Sequence, residues 1–438
     1  MNPPASPSIA LSHLLSHCAD TVLGVREGRS LSDLIPQLPA NARAGTQALS
    51  FEVLRRLGGA TAVRSVLAAK APPPAVDALL VSAIALLWPP APGARPAYPD
   101  HTLVDQAVHA AHQRTPAAVG FINAVLRRFV REREGLVTAA ERQPEGAFNH
   151  PLWWIERLKH DWPAHWQSLL REANRHPPMT LRVNARRGDA AAYVQRLAAQ
   201  GQAAQATASH TVILAEPCPV TQLPGFGEGD VSVQDAAAQR AAPLLIGAGL
   251  PSGARVLDAC AAPGGKTAHL LESADLELLA LDSDPQRLSR VLETLKRLHL
   301  SASVKAGDAR HPAAWWDGRP FDAILLDAPC TASGIVRRHP DIRWLRRPGD
   351  IAALAQVQAQ MLDALWPLLA PGGRLLYATC SLFPAEGRAQ IDAFLQRQGP
   401  GTARLDPASP GHLLPLPDNA SAGVASADGF FYALIHKP

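Results

Sequence analysis

Arg255-Val-Leu-Asp-Ala-Cys-Ala-Ala-Pro-Gly-Gly-Lys-Thr267 decides the fold. Its first half reads as a short apolar strand over 255–259. Its second half carries Gly264 and Gly265, which let the backbone approach a ligand closely just before a helix begins. Outward from this turn the pattern repeats. Strands predicted over 276–281, 302–305, 321–326, 373–379 and 430–435 alternate with helical stretches. Such alternation marks an α/β, Rossmann-like fold: a doubly wound, mostly parallel sheet whose ligands bind beyond the carboxyl ends of the strands. Function is therefore sought just after each strand.

Upstream the pattern differs. From Ile9 to about Arg133 the periodic segments have helical spacing, with one stripe at Leu11, Leu14, Leu15, Cys18 and Val22 and another at Leu49, Val53, Leu54 and Leu57. Pro72-Pro73-Pro74 and the proline-rich run 89–99 separate these helices. Arg127, Arg128 and Arg131 close the last helix, where a solvated face is the simpler reading than a phosphate patch. Residues 150–174 read as two Trp-rich helices, and strands at 179–184 and 211–216 flank a helix over 189–200. Trp153, Trp154, Trp162 and Trp166 read as core more readily than as base-stacking platforms. Three regions result: an all-helical domain over 1–145, a small α/β connecting domain over 146–230 and the Rossmann-like domain over 231–438.

Composition sets the limits. The 438 residues suffice for about three domains. A chain that is 47% hydrophobic and 18% charged is globular, and a net charge of +4 permits a polyanionic partner without requiring one. The five cysteines, Cys18, Cys218, Cys260, Cys330 and Cys380, form no Cys-x-x-Cys pair, which points to a reduced, cytoplasmic protein without a metal site. The amino terminus lacks the charged region of a signal peptide, and the longest apolar run, 78–88, stops at Pro89-Pro90 and is too short to span a bilayer. A monomer free of membranes is expected.

Three ligands compete for the glycine turn. A dinucleotide fingerprint needs G-x-G-x-x-G, which is absent. A P-loop needs G-x-x-x-x-G-K-[ST]; Gly265-Lys266-Thr267 match its end, but its first glycine falls on Cys260. The third reading is an adenosine cofactor without polyphosphate. Asp282 ends the next strand, placed to accept from ribose hydroxyls; Gly307-Asp308 follows the third, near an adenine amino group; Asp327 ends the fourth. Carboxylates in series suit a cationic cofactor such as S-adenosylmethionine better than phosphates, although a lone Asp at a strand end is commonly only a cap.

Two cysteines then gain meaning. Cys330 follows Asp327-Ala-Pro, and Cys380 ends the fifth strand as Tyr377-Ala-Thr-Cys-Ser381. A single free Cys is usually a small buried hydrophobe. Two at the ligand-facing ends of neighbouring strands suit one demanding reaction. Cytosine C5 is a poor nucleophile until a thiolate adds at C6 and makes it enamine-like; loss of the C5 proton later expels the thiol. Asp327 is the candidate acid near N3 of the base.

These stretches, with Arg337-Arg-His-Pro-Asp-Ile-Arg-Trp-Leu-Arg-Arg347, Asp428-Gly-Phe-Phe431, His150-Pro151, Pro178-Met179, Leu181-Arg-Val-Asn184 and Val233-Gln-Asp-Ala236, resemble the RNA cytosine-C5 methyltransferases over nearly the whole chain. The helical domain is similar to the antitermination factor NusB. The resemblance implies a class I S-adenosylmethionine methyltransferase acting on 16S ribosomal RNA, with Cys380 as nucleophile and Cys330 assisting product release. It places the cofactor on Cys260, Ala261, Ala262, Pro263, Gly264, Gly265, Lys266, Asp282, Asp308 and Asp327. One departure is visible: the family often has Asn after Pro-x-Glu, and here Gly387 follows Glu386.

Arg337, Arg338, His339, Arg343, Trp344, Arg346 and Arg347 lie just beyond Cys330 in sequence against one acid, Asp341, and are expected to contact RNA phosphates and bases. An Arg-rich exposed loop is the plainer alternative. Three competing functions stay open at this level: the same chemistry on another RNA such as transfer RNA, a P-loop NTPase, and a non-catalytic RNA-binding protein.

Overall fold

A computed structural model describes residues 9–90, 95–247, 249–416 and 427–438; part of the 89–99 separator, residues 91–94, lies outside them. The chain divides into two compact units. One comprises the residues up to Arg175 together with Val336–Arg347, the other His176–Ile335 and Pro348–Pro438.

The first unit is helical as expected, with no strand among its described residues. Its centre is the helix Pro74–Leu86, entered through a proline at its first turn and buried from Val76 to Ala85. A helix apolar on all sides must be surrounded. Helices Leu11–Arg26, Ala40–Arg55, Leu57–Leu67, Asp100–Arg114 and Val119–Glu141 pack on it. Asp77 on this central helix is held by Arg26 at 2.7 Å and Arg64 at 2.6 Å, which satisfies a charge the core would otherwise exclude. Arg128 and Arg131 are exposed and pair with Glu132, consistent with a solvated face. The Trp-rich helices, Leu152–Asp161 and Trp166–Glu172, were assigned from sequence to the connecting domain but group by packing with this unit. Trp154 is buried.

Val336–Arg347 corrects part of the RNA-contact expectation. Arg343 is fully buried and donates to the carbonyls of Asn149 (3.2 Å), Ala173 (2.7 Å) and Val336 (3.4 Å) and to the side-chain oxygen of Asn174. Trp344 Nε1 donates to Leu54 O at 2.9 Å, Arg55 donates to Arg337 O at 2.8 Å, and Asp341 accepts from Leu31 N at 3.0 Å. Carbonyls left over at helix ends attract guanidinium donors as phosphate does. Arg343 and Trp344 therefore serve backbone acceptors of their own unit and Arg337 is buried, while Arg338 and Arg346 are half-buried and His339 and Arg347 exposed. Arg343→Ala is expected to cost about 3 kcal/mol in chemical denaturation, because buried acceptors lose their donor. The Arg338→Ala/Arg346→Ala pair is expected to flatten the salt dependence of RNA binding. An unchanged salt slope would remove those two from the RNA contacts.

The second unit holds two sheets. Strands β1 (Thr180–Val183), β2 (Ala204–Ala208), β3 (Thr211–Leu214) and β4 (Val231–Val233) form an antiparallel sheet in the order β2-β3-β1-β4, with the helix Ala190–Ala198 beside it. Asp189 caps that helix by accepting from Ala192 N at 2.9 Å. The sequence reading missed β2, whose Ala-Gln-Ala-Thr-Ala run carries little apolar patterning, and the three-residue β4.

The large sheet contains β5 (Ala254–Ala259), β6 (Leu276–Asp282), β7 (Ser303–Ala306), β8 (Phe321–Asp327), β9 (Leu369–Thr379), β10 (Arg404–Leu405), β11 (Gly411–Leu413) and β12 (Phe430–His436). Its order is β10-β12-β9-β8-β5-β6-β7, with β11 also on β12. Strands β5 to β9 are mutually parallel, and β12 runs antiparallel to β9. Alternate residues feed two cores, Val256, Leu325 and Leu376 on one face and Leu257, Ile324 and Leu375 on the other. Burial on both faces explains why these strands read as continuous apolar runs. Chain order reverses between β5 and β8, the topological switch point where such sheets bind ligands. No helix among the described residues is long and apolar enough to cross a membrane.

Candidate active site

The glycine turn lies between β5 and the helix Gly265–Ser273, at the switch point. Gly264 has φ +97°, and a Cβ there would meet Val291 Cα at 3.1 Å, so both the backbone and the space exclude a side chain. Cys260 also sits at φ +81°, a strained conformation for a residue with a side chain. The turn is laced to the end of β6. Cys260 N and Ala261 N both donate to Leu281 O at 2.8 Å, and Ala262 N donates to Asp282 Oδ2 at 3.1 Å. Arg182 on β1 fixes the helix from behind. It makes a buried two-point pair with Glu272, both distances 2.8 Å, and donates to Gly265 O at 2.9 Å.

The carboxylates predicted for the cofactor follow the strand ends. Asp282 is buried and accepts from the Ala262 and Asp284 amides, leaving lone-pair sites for ribose hydroxyls. Asp308 lies after β7, and Arg310, donating to it at 2.7 Å, lowers its pKa from the ordinary carboxylate value. Asp258, beneath the turn, is pushed up to about 7 by burial, with Thr267 donating to it at 2.6 Å. An acid-lined cradle with a glycine turn fits a cationic adenosine cofactor, because the cations beside it, Lys266, Arg287 and Arg310, are each matched by a carboxylate.

The reacting groups meet on β8 and β9. Asp327 and Cys330 follow β8, and Cys380 follows β9. The two sulfurs are 3.5 Å apart. Lys266 reaches from the glycine helix to Asp327 Oδ2 at 2.7 Å; burial opposes its charge, but Asp327 outweighs it and the lysine pKa is raised. The hydrogen bond with Cys380, burial and nearby Glu386 hold the Cys330 thiol well above its ordinary pKa. Every residue expected around cofactor and thiols thus lies on the carboxyl side of the same sheet, whereas the predicted RNA-contacting residues belong to the helical unit.

The sequence reading missed two buried polar residues, Gln358 and Glu386. Gln358, inside the helix Pro348–Leu365, donates to Pro329 O at 2.9 Å and to Glu386 Oε1 at 3.2 Å. Nothing in the sequence singles it out, because Gln356, Gln358 and Gln360 alternate along the same helix. The Gly387 departure has a physical counterpart: a Cβ there would meet the His412 ring at 2.6 Å, so the imidazole fills the space a side chain would need.

The strand order, antiparallel last strand, glycine turn and acidic strand ends define a class I methyltransferase domain, the class that uses S-adenosylmethionine. Comparison with known proteins refines this. The profile described as "16S rRNA methyltransferase RsmB/F" matches residues 250–436, and a ferredoxin-like domain of the same proteins matches 150–221. The chain is 48% identical over 346 residues to ribosomal RNA small subunit methyltransferase B of Vibrio cholerae, covering 77% of each chain. Its identity to the protein of that name in Salmonella typhi is 42%, covering 97% of this chain and 99% of the other. The solved structure of a methyltransferase homolog from Pyrococcus horikoshii superposes with a TM-score of 0.56 at 27% identity, covering 67% of this chain and 97% of that one. The chain belongs to the ribosomal RNA small subunit methyltransferase B family.

Proposed function

We propose that this chain methylates C5 of a cytosine in 16S ribosomal RNA through a covalent bond between Cys380 and C6 of the base. The 3.5 Å approach of the Cys330 and Cys380 sulfurs beside Asp327 carries the reading. An N-methyltransferase has no use for paired thiols, and an NTPase has none for a Lys266–Asp327 pair that neutralises the one lysine of its loop.

Bound S-adenosylmethionine supplies an electrophilic methyl carbon on a sulfonium. Cys260 to Lys266, Asp282, Asp308 and Asp327 would hold it. The target base must leave any stack to enter the pocket. Cys380 Sγ then adds to C6, and charge develops at N3, where Asp327 accepts a hydrogen bond from the protonated ring. The added sulfur pushes electron density onto C5, making that carbon the nucleophile for the methyl group a bound cofactor would supply, whose sulfonium sulfur would keep the S–CH3 electron pair and leave as a neutral thioether. Once C5 carries the methyl group, its proton passes to water, the C5–H electron pair restores the C5–C6 double bond, and the Sγ–C6 pair leaves with the sulfur. Cys330, held as a neutral thiol, can hand a proton to the departing sulfur. RNA phosphates are met by Arg338, His339, Arg346 and Arg347.

Mapping 5-methylcytosine across ribosomal and transfer RNA from cells with and without the gene tests the proposal. One small-subunit ribosomal cytosine is expected to lose its methyl group. Loss at a transfer RNA position alone would move the substrate, and loss of no 5-methylcytosine would overturn the chemistry.

A further inference from the structure

The cysteines sit on two separate loops, and nothing described so far keeps their sulfurs in register. Glu386, from the short turn Pro384–Glu386, is fully buried between the two loops. Its Oε1 accepts from Thr331 N at 2.8 Å and from Gln358 Nε2 at 3.2 Å. Its Oε2 accepts from the hydroxyls of Thr331 at 2.5 Å and Ser381 at 2.6 Å. Thr331 directly follows Cys330, and Ser381 directly follows Cys380. Gln358 completes the link by holding Pro329 O, on the other side of Cys330.

We infer that Glu386 is a positioning residue, a buried carboxylate that ties the loop of Cys330 to the loop of Cys380 and sets the distance between the two thiols. The hydrogen-bond partners of its carboxylate are the neighbours of the cysteines, Thr331 and Ser381, and Gln358. Four donors converge on it, and a carboxylate is the side chain that accepts four and donates none. Burial raises its pKa, and the hydroxyl and amide donors pull it back. Buried charged networks of this kind are costly to leave half-satisfied, so its position in the gap marks a geometric role rather than a gain in stability.

The inference rests on the covalent mechanism proposed above, and the test separates the two. Small-subunit ribosomal RNA containing 5-fluorocytidine is incubated with the full-length protein and S-adenosylmethionine, and covalent capture is timed. The fluorine cannot leave as a proton would, so a bonded Cys380 stays on the RNA. Cofactor binding in the same preparations counts the folded molecules. If wild-type protein captures no RNA, the covalent reading falls and this inference with it. With wild-type capture intact, Glu386→Gln is expected to slow capture per cofactor-binding molecule by about tenfold to a hundredfold, with the KM for RNA changed less than about twofold. Capture at the wild-type rate, or a deficit explained wholly by fewer cofactor-binding molecules, would overturn the positioning role. Should Glu386→Gln fail to fold, Thr331→Val decides. It keeps the carboxylate and removes one donor, so capture slowed several-fold supports the role and unchanged capture overturns it.

Discussion

Cys380→Ser is expected to reduce methyl transfer by about ten-thousand-fold or more while the affinity for S-adenosylmethionine stays within about twofold. A serine hydroxyl ionises far less readily than a thiol and is a poorer nucleophile toward C6, so the step that activates C5 fails. The hydrogen bonds that shape the glycine turn run to Leu281 O and Asp282 on β6 and from Arg182 on β1, and the substitution removes none of them. Single-turnover transfer of a labelled methyl group, with calorimetry for the cofactor, reads both quantities. Activity within tenfold of wild type would show that another group is the nucleophile.

Cys330→Ala is expected to fail in the opposite sense. Bond formation proceeds, but the departing sulfur lacks the neutral thiol that lies 3.5 Å from it. Protein then accumulates as an adduct on ordinary, unfluorinated RNA. A band that resists denaturant, requires S-adenosylmethionine and disappears in the Cys330→Ala/Cys380→Ser double variant is the expected result. Turnover should fall by about a hundredfold or more, the scale for loss of a positioned proton donor. A Cys330→Ala protein that turns over without an adduct would remove Cys330 from the release step.

Six strands of the large sheet were legible in the sequence because burial makes most of them apolar runs and the glycine turn fixes where one ends; the two- and three-residue β10 and β11 were too short to show a pattern. The candidate cofactor and thiol residues could be singled out because Asp282, Asp308, Asp327, Cys330 and Cys380 sit at strand ends, where a doubly wound sheet presents its ligand. Spacing could not rank the cysteines; the family resemblance did. Arg343 was misread because its sequence neighbours are those of a phosphate-binding loop, and only the fold reveals Asn149 O, Ala173 O and Val336 O as its acceptors. Glu386 escaped for a related reason. Its partners Thr331 and Gln358 lie 55 and 28 residues away, beyond any local pattern.

The helical unit is interrupted in sequence, and Arg343 and Trp344 supply donors to carbonyls at the ends of its earlier helices. During synthesis those helices emerge first, yet Ala173 O and Leu54 O must wait for residues made much later. Cutting the chain at Arg175 would take from the amino-terminal part the donors that Ala173 O and Leu54 O have in the whole protein. A polypeptide ending there would lack the segment that closes its own interior, and the nascent chain completes this unit only after the residues bearing Asp327 and Cys330 have been translated.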